Sequence, residues 1–221
     1  MPSLIYVADP MCSWCYGFGP ELAALLDGLP GMPIEVVVGG LRPYATKPMD
    51  EALKTSLLEH WHKVAEQTSL PFSYDGRWPE GFIYNTEPAC RAVVAARMLA
   101  PQATLFVFHE IQRAFYSEGQ DVTQGNVLAS VAAAAMTEAG YPTDAETFLA
   151  TWNSEAAILA THEDFQQVQR WGIDGFPALV LERDGQLDMV TSGYVPMPKL
   201  INLLQEIVDR GQVQPEDGTP A

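Results

Sequence analysis

Cys12 and Cys15 stand where a strand-forming run hands over to a helix-forming one, and this junction constrains the fold more than any other feature of the chain. Leu4–Ala8 is short, apolar and carries β-branched residues, the pattern of a buried strand, and Asp9-Pro10 breaks it. From Cys12 to about Leu29 the chain reads as a helix. Leu22, Leu25, Leu26 and Leu29 share one face at spacings of three and four, and Pro20 is placed to kink the helix. Gly28, Pro30, Gly31 and Pro33 form a breaker cluster. Ile34–Val38 is a second buried strand, closed by Gly39-Gly40. Strand, helix and strand in this order make a right-handed parallel βαβ unit.

The middle of the chain has another texture. Helices are predicted over Asp50–Thr68, Pro88–Leu99, Gln102–Tyr116, Thr123–Ala139, Ala145–Trp152 and Ser154–Ala160, with a Pro-, Gly- and aromatic-rich loop over Leu70–Thr86. Mixed structure then returns. Glu163–Trp171 reads as a helix. Ala178–Glu182 and Leu187–Thr191 read as strands joined by an Asp184-Gly185 hairpin turn. Pro198–Arg210 is a closing amphipathic helix. Gly211–Ala221 is polar and rich in Pro and Gly, and is expected to be disordered.

Among 221 residues, 28 acids against 12 bases leave a net charge of −16, which argues against nucleic acid and anionic membranes as partners. No run is long and apolar enough to span a bilayer. The N-terminus lacks a signal-peptide pattern, and Met1 leads straight into the first strand, so a cytoplasmic location is expected. In that reducing compartment a Cys-x-x-Cys spacing speaks for redox chemistry or metal and against a structural staple. Zinc needs a second ligand pair. Cys90, His60, His62, His109 and His162 do not supply one, and no metal or other cofactor is expected. His60 and His62 point to different helix faces and read as surface residues.

The first turn of a helix has free N–H groups and the positive end of the dipole, both of which favour an anion. The thiolate is the nucleophile of disulfide exchange. Cys12 is therefore expected at the helix tip, exposed, as the attacking thiol. Cys15, one turn deeper, is expected to be shielded and to resolve the mixed disulfide. Ser13-Trp14 places no cation between them, so activation is expected to be moderate. Cys90, in a helix with Val94 at its i+4 position, reads as a small buried hydrophobe, with a regulatory or second redox role as the alternative.

A second segment carries a resemblance. Gly172-Ile173-Asp174-Gly175-Phe176-Pro177, followed by the apolar Ala178–Glu182 and a tight hairpin, resembles the cis-proline segment of thioredoxin, and Pro20 eight residues after Cys12 matches its active-site helix. The helical block between the two halves resembles DsbA-like proteins, and the Asp-Pro-Met-Cys-Ser-Trp-Cys-Tyr start is similar to their cytoplasmic FrnE-like branch. The resemblance implies an α/β thioredoxin-like fold with a large inserted α-helical domain. Its thioredoxin-like parts would span residues 1–45 and 161–210, with the helical domain over 46–160 and the tail over 211–221. It also implies a cis Phe176-Pro177 bond facing the cysteines, with the Phe176 backbone free to pair with an extended substrate.

Met11, Ser13, Trp14, Phe176 and Pro177 are accordingly the expected substrate contacts, with Tyr16 and Phe18 completing an apolar collar. Two departures stand out. Many thioredoxin-fold enzymes carry an acid six residues before the first cysteine, and here that residue is Tyr6. Asp9 is expected instead to cap the helix, leaving proton transfer to Cys15 to water. The combined reading is a thiol–disulfide oxidoreductase or isomerase acting on protein or glutathione-like thiols, recycled by a redox partner the sequence does not name. Its rivals are a glutathione-dependent transferase or isomerase on the same scaffold and a non-enzymatic, chaperone-like client-binding module.

Overall fold

The computed structural model describes residues 2–74 and 78–212. Four strands make one sheet: β1 (Ser3–Ala8), β2 (Ile34–Val38), β3 (Ala178–Arg183) and β4 (Gln186–Ser192), in the order β2-β1-β3-β4. β1 runs parallel to β2, with Leu4 opposite Ile34 and Ala8 opposite Val38. It is antiparallel to β3, with Tyr6 opposite Leu179. The expected βαβ unit therefore forms, through helix α1 (Ser13–Asp27), in which Pro20 lies. β3 and β4 pair antiparallel across a turn in which Asp184 and Gly185 have φ of 53° and 82°, the left-handed values that a two-residue hairpin requires.

Both faces of the sheet are covered, which is why β1 is an unbroken apolar run. Leu4, Tyr6, Ala8, Val36, Val38, Leu179 and Leu181 face a large core shared with α1. Ile5, Val7, Val37, Ala178 and Val180 face a smaller one with Val168 and Ile173. Between β2 and β3 run α2 (Glu51–Thr68), α3 (Glu87–Leu99), α4 (Thr104–Tyr116), α5 (Gly125–Glu138), α6 (Ala145–Trp152) and α7 (Glu155–Arg170), and α8 (Met197–Gln212) follows β4. Asp50, Asp144 and Ser154 cap α2, α6 and α7 with side-chain oxygens that accept from Leu53, Thr147 and Ala157 N–H groups. The alanine-rich faces of α3 and α5, including Ala89, Ala92, Ala96, Ala132 and Ala135, are buried.

β2 is an edge strand, and side chains occupy its outer backbone groups. Asp164 Oδ2 accepts from Val38 N–H at 3.0 Å, and Arg97 Nη1 donates to the Val36 carbonyl at 2.8 Å. Arg97 and Asp164 are joined by two further bonds of 2.9 and 2.8 Å. A bidentate pair of this kind both anchors α3 and α7 to the sheet and blunts the edge.

Three expected boundaries change. Ser154–Ala160 and Glu163–Trp171 are one helix, α7, because Thr161 and His162 contain no breaker and the Thr161 hydroxyl donates back to Ala157 O at 2.7 Å. A domain division at residue 160 would cut it. The start of the expected Gln102–Tyr116 helix is instead a 3-10 turn over Pro101–Ala103. α8 continues through residues 211 and 212, and the remainder of the expected disordered tail, 213–221, lies outside the described residues. His60 and His62 are exposed, as expected.

Candidate active site

The loop from β1 to α1 holds the chemistry. Asp9 to Cys12 close a turn: Cys12 N–H donates to Asp9 O at 3.0 Å, and Asp9 Oδ1 accepts from Met11 N–H at 2.8 Å. Cys12 is itself the N-cap residue of α1, with φ −93° and ψ 116° and no side-chain cap. Asp9 therefore does not cap the helix. Its second oxygen reaches away, to Leu41 N–H at 2.6 Å, and ties the loop after β2 to the loop after β1.

Cys15 lies one turn below Cys12, the two thiols are in hydrogen-bonding contact, and both are free. The expected exposure of Cys12 does not hold, because only 6% of it reaches solvent. The Phe176–Pro177 segment closes over it, and the Cys12 thiol donates to the Phe176 carbonyl at 3.7 Å. The Phe176-Pro177 bond is cis, as the resemblance implied. Cys15 is completely buried, and burial, followed by the adjoining Cys12 thiol, pushes its thiol well above the ordinary range.

The expected contact residues divide. Ser13 is nearly buried beside Cys12, and Trp14 is half-buried, its ring 5.6 Å from that of Tyr194. Phe176 turns its carbonyl to the thiol while its ring lies across Gly39, and Pro177 is buried, its carbonyl accepting from Gly193 N–H at 2.7 Å. Met11 is a correction, since its side chain is fully buried in the large core. The turn that presents Cys12 drives Met11 inward, so it supports the loop and is closed to a substrate. Phe18 is likewise core, 5.9 Å from Tyr6. Tyr16 stacks on Tyr116 at 4.9 Å.

The structure adds residues that spacing could not reveal. Tyr84, from an irregular loop, donates its hydroxyl to the Met11 carbonyl, and Tyr116, from α4, is buried near Cys12. Both come from the helical segment, and nothing local in the sequence marks them. The Tyr6 hydroxyl donates to the Cys15 carbonyl at 3.3 Å. Burial, followed by the nearby Cys15 charge, keeps that phenol protonated well above its usual range. Cys90 is buried as expected, but its thiol also donates to Asp9 Oδ2 at 3.4 Å.

Residues 3–205 match the DSBA-like thioredoxin domain. The chain belongs to that family of thiol–disulfide oxidoreductases. A crystal structure from Nitrosomonas europaea, provisionally described as a protein disulfide isomerase, is 37% identical over 95% of this chain and 98% of that one, with a TM-score of 0.85. The cytosolic disulfide reductase DsbM from Pseudomonas aeruginosa, also solved with GSH, is 26% identical over 96% of this chain and 100% of that one, with a TM-score of 0.72. A ClpXP adapter protein, SpxH, of Halalkalibacterium halodurans is 24% identical over 90% of this chain. The chain spans about 65% of the length of the curated relatives it matches. Within this DSBA-like domain, no helix among the described residues is long and apolar enough to cross a membrane.

Proposed function

We propose that this family member is a cytoplasmic thiol–disulfide oxidoreductase in which Cys12 attacks and Cys15 resolves. The observation that carries the reading is the Cys12 thiol held between two partners: the Phe176 carbonyl 3.7 Å away and the buried Cys15 thiol. Cys12 thiolate attacks one sulfur of a substrate disulfide. A Cys12–substrate disulfide forms, and the other substrate sulfur leaves as a thiolate and takes up a proton. Cys15 then gives up its proton and attacks the Cys12 sulfur. The Cys12–Cys15 disulfide forms and the second substrate thiolate leaves, so that two electrons have passed from the pair to the substrate. The reverse sequence oxidises a dithiol.

The slot beside Phe176 suits an extended peptide or a tripeptide thiol, because half-buried Phe176 offers a main-chain edge next to the Cys12 thiol. The GSH-bound DsbM structure supports thiols of the glutathione class as substrate or recycling reductant. Likeness to the adapter proteins supports a second reading, a client-binding module that works without its thiols. Insulin-disulfide reduction driven by glutathione separates the two. The redox reading expects turnover that Cys12→Ser abolishes. Client binding that persists in a Cys12→Ser/Cys15→Ser double variant, together with no turnover by the wild type, would replace it with the adapter reading.

A further inference from the structure

Asp9 is a buried carboxylate surrounded by donors. None of its surface reaches solvent. Oδ1 accepts from Met11 N–H, and Oδ2 accepts from Leu41 N–H and the Cys90 thiol. Burial pushes the carboxyl above its usual range, and the bonds from Leu41, Met11, Thr86 and Cys90 act against that rise and favour the charged form. Among the described residues no Lys, Arg or His forms an ion pair with it. A protonated carboxyl would bring one more hydrogen into a shell already made of hydrogens. Neutral donors of this kind hold a charge in place without cancelling it.

The backbone of the same residue adjoins both cysteines. Its carbonyl receives the Cys12 N–H, and its own backbone N–H faces the Cys15 sulfur. The interior here excludes water, so the carboxylate is poorly screened from a charge on either sulfur. Tyr6, at the inner position where related enzymes carry an acid, is neutral and contributes no charge of its own.

We infer that Asp9 is a fixed buried anion that biases the Cys12–Cys15 pair toward the disulfide, and hence the protein toward donating electrons, with the Cys90 thiol as one of the donors that keep it ionised. This rests on the redox reading above. The reduced pair acts through a thiolate, whereas the disulfide carries no charge. A neighbouring carboxylate therefore raises the free energy of the reactive reduced form and leaves that of the disulfide nearly unchanged. Loss of two electrons to a substrate disulfide becomes more favourable. Burial and the Cys12 thiol raise the Cys15 thiol most, the Asp9 backbone N–H opposes them, and the Asp9 charge adds a smaller rise that Asp9→Asn would remove while keeping the backbone bond. Asp9 and Cys90 are positioning residues here, since neither exchanges a bond with substrate.

The test equilibrates the full chain with graded mixtures of reduced and oxidised glutathione and reads the Cys12–Cys15 state by alkylation and mass. Asp9→Asn is expected to shift the equilibrium toward the dithiol about tenfold, which corresponds to about 30 mV for a two-electron couple. Cys90→Ala, which leaves Asp9 in place but removes a donor, is expected to shift it the same way by about twofold, and Cys90→Ser, which restores a donor, returns it toward wild type. A folded Asp9→Asn protein with an unchanged or more reducing pair overturns the inference. If that variant does not fold, identical positions for Cys90→Ala and wild type overturn it. A wild-type pair that forms no disulfide at any glutathione ratio brings down the redox reading and the inference together.

Discussion

The Cys12 thiol donates to the carbonyl of Phe176, a residue 164 positions away in the chain, at 3.7 Å. Phe176 can hold that carbonyl there because its ring rests on the bare backbone of Gly39 at the end of β2. Gly40 beside it has φ of 68° and faces the Phe165 ring, so both glycines make room for an aromatic side chain. Three separated segments thus set the mouth of the site.

This makes Gly39→Ala a sensitive probe. A Cβ at residue 39 would stand 2.2 Å from the Phe176 ring, so the ring must shift to admit it. Overpacking of this kind costs about 1–3 kcal/mol. The variant is expected to lose stability in that range by urea titration and to reduce insulin more slowly, while Cys12 and Cys15 still form a disulfide. Unchanged turnover would show that the Phe176 carbonyl is not part of the substrate slot.

Cys15→Ser should separate the two steps of exchange. Cys12 can then attack but nothing resolves the adduct, so a mixed disulfide with glutathione is expected to accumulate on Cys12 and to be released by dithiothreitol. Mass spectrometry of the peptide carrying Cys12 reads it directly. An adduct on Cys90 in its place would reverse the assignment of the attacking thiol.

The Arg97–Asp164 pair carries stability. Its side chains retain 22% and 13% of their exposure, and together they occupy two backbone groups of the β2 edge. Removing one partner leaves a poorly solvated charge, and Arg97→Ala is expected to cost about 2–4 kcal/mol. Asp164→Asn, which keeps an acceptor for Val38 N–H, is expected to cost less. Denaturant midpoints with unchanged m-values check both.

His109 introduces a pH dependence. Burial lowers its pKa from 6.5 to about 4, and its Nε2 is buried without a hydrogen-bond partner. The folded state holds the neutral ring, whereas the unfolded chain takes up a proton as pH falls through 6.5. Between pH 6.5 and about 4 the unfolded state binds more protons, so this contribution is full above pH 6.5 and is lost as pH falls. At about 1.4 kcal/mol per pH unit, the loss approaches 3 kcal/mol. The difference in stability between wild type and His109→Leu is expected to shrink or reverse on going from pH 7 to pH 5. A constant difference would place the imidazole in contact with water.

Local pattern determined much of this protein. The continuous apolar run of Leu4–Ala8, the leucine face of α1 and the Asp184-Gly185 turn are decided by neighbours within a few residues, so the βαβ unit, the hairpin and the position of Cys12 and Cys15 at a helix start could be read from the chain. Cys12 and Cys15 also fall within one helical turn, so their proximity needs no tertiary contact. What surrounds them did. Asp9 reads locally as a helix cap, yet its second oxygen is claimed by Leu41 and Cys90, partners 32 and 81 positions away. Met11 reads as a contact and is turned into the core, where Tyr84 holds its carbonyl. Cys12 reads as exposed and is roofed by Phe176. Burial and charge environment are sums over groups that only folding brings together, and no periodicity along the chain encodes which distant backbone will close over a given side chain.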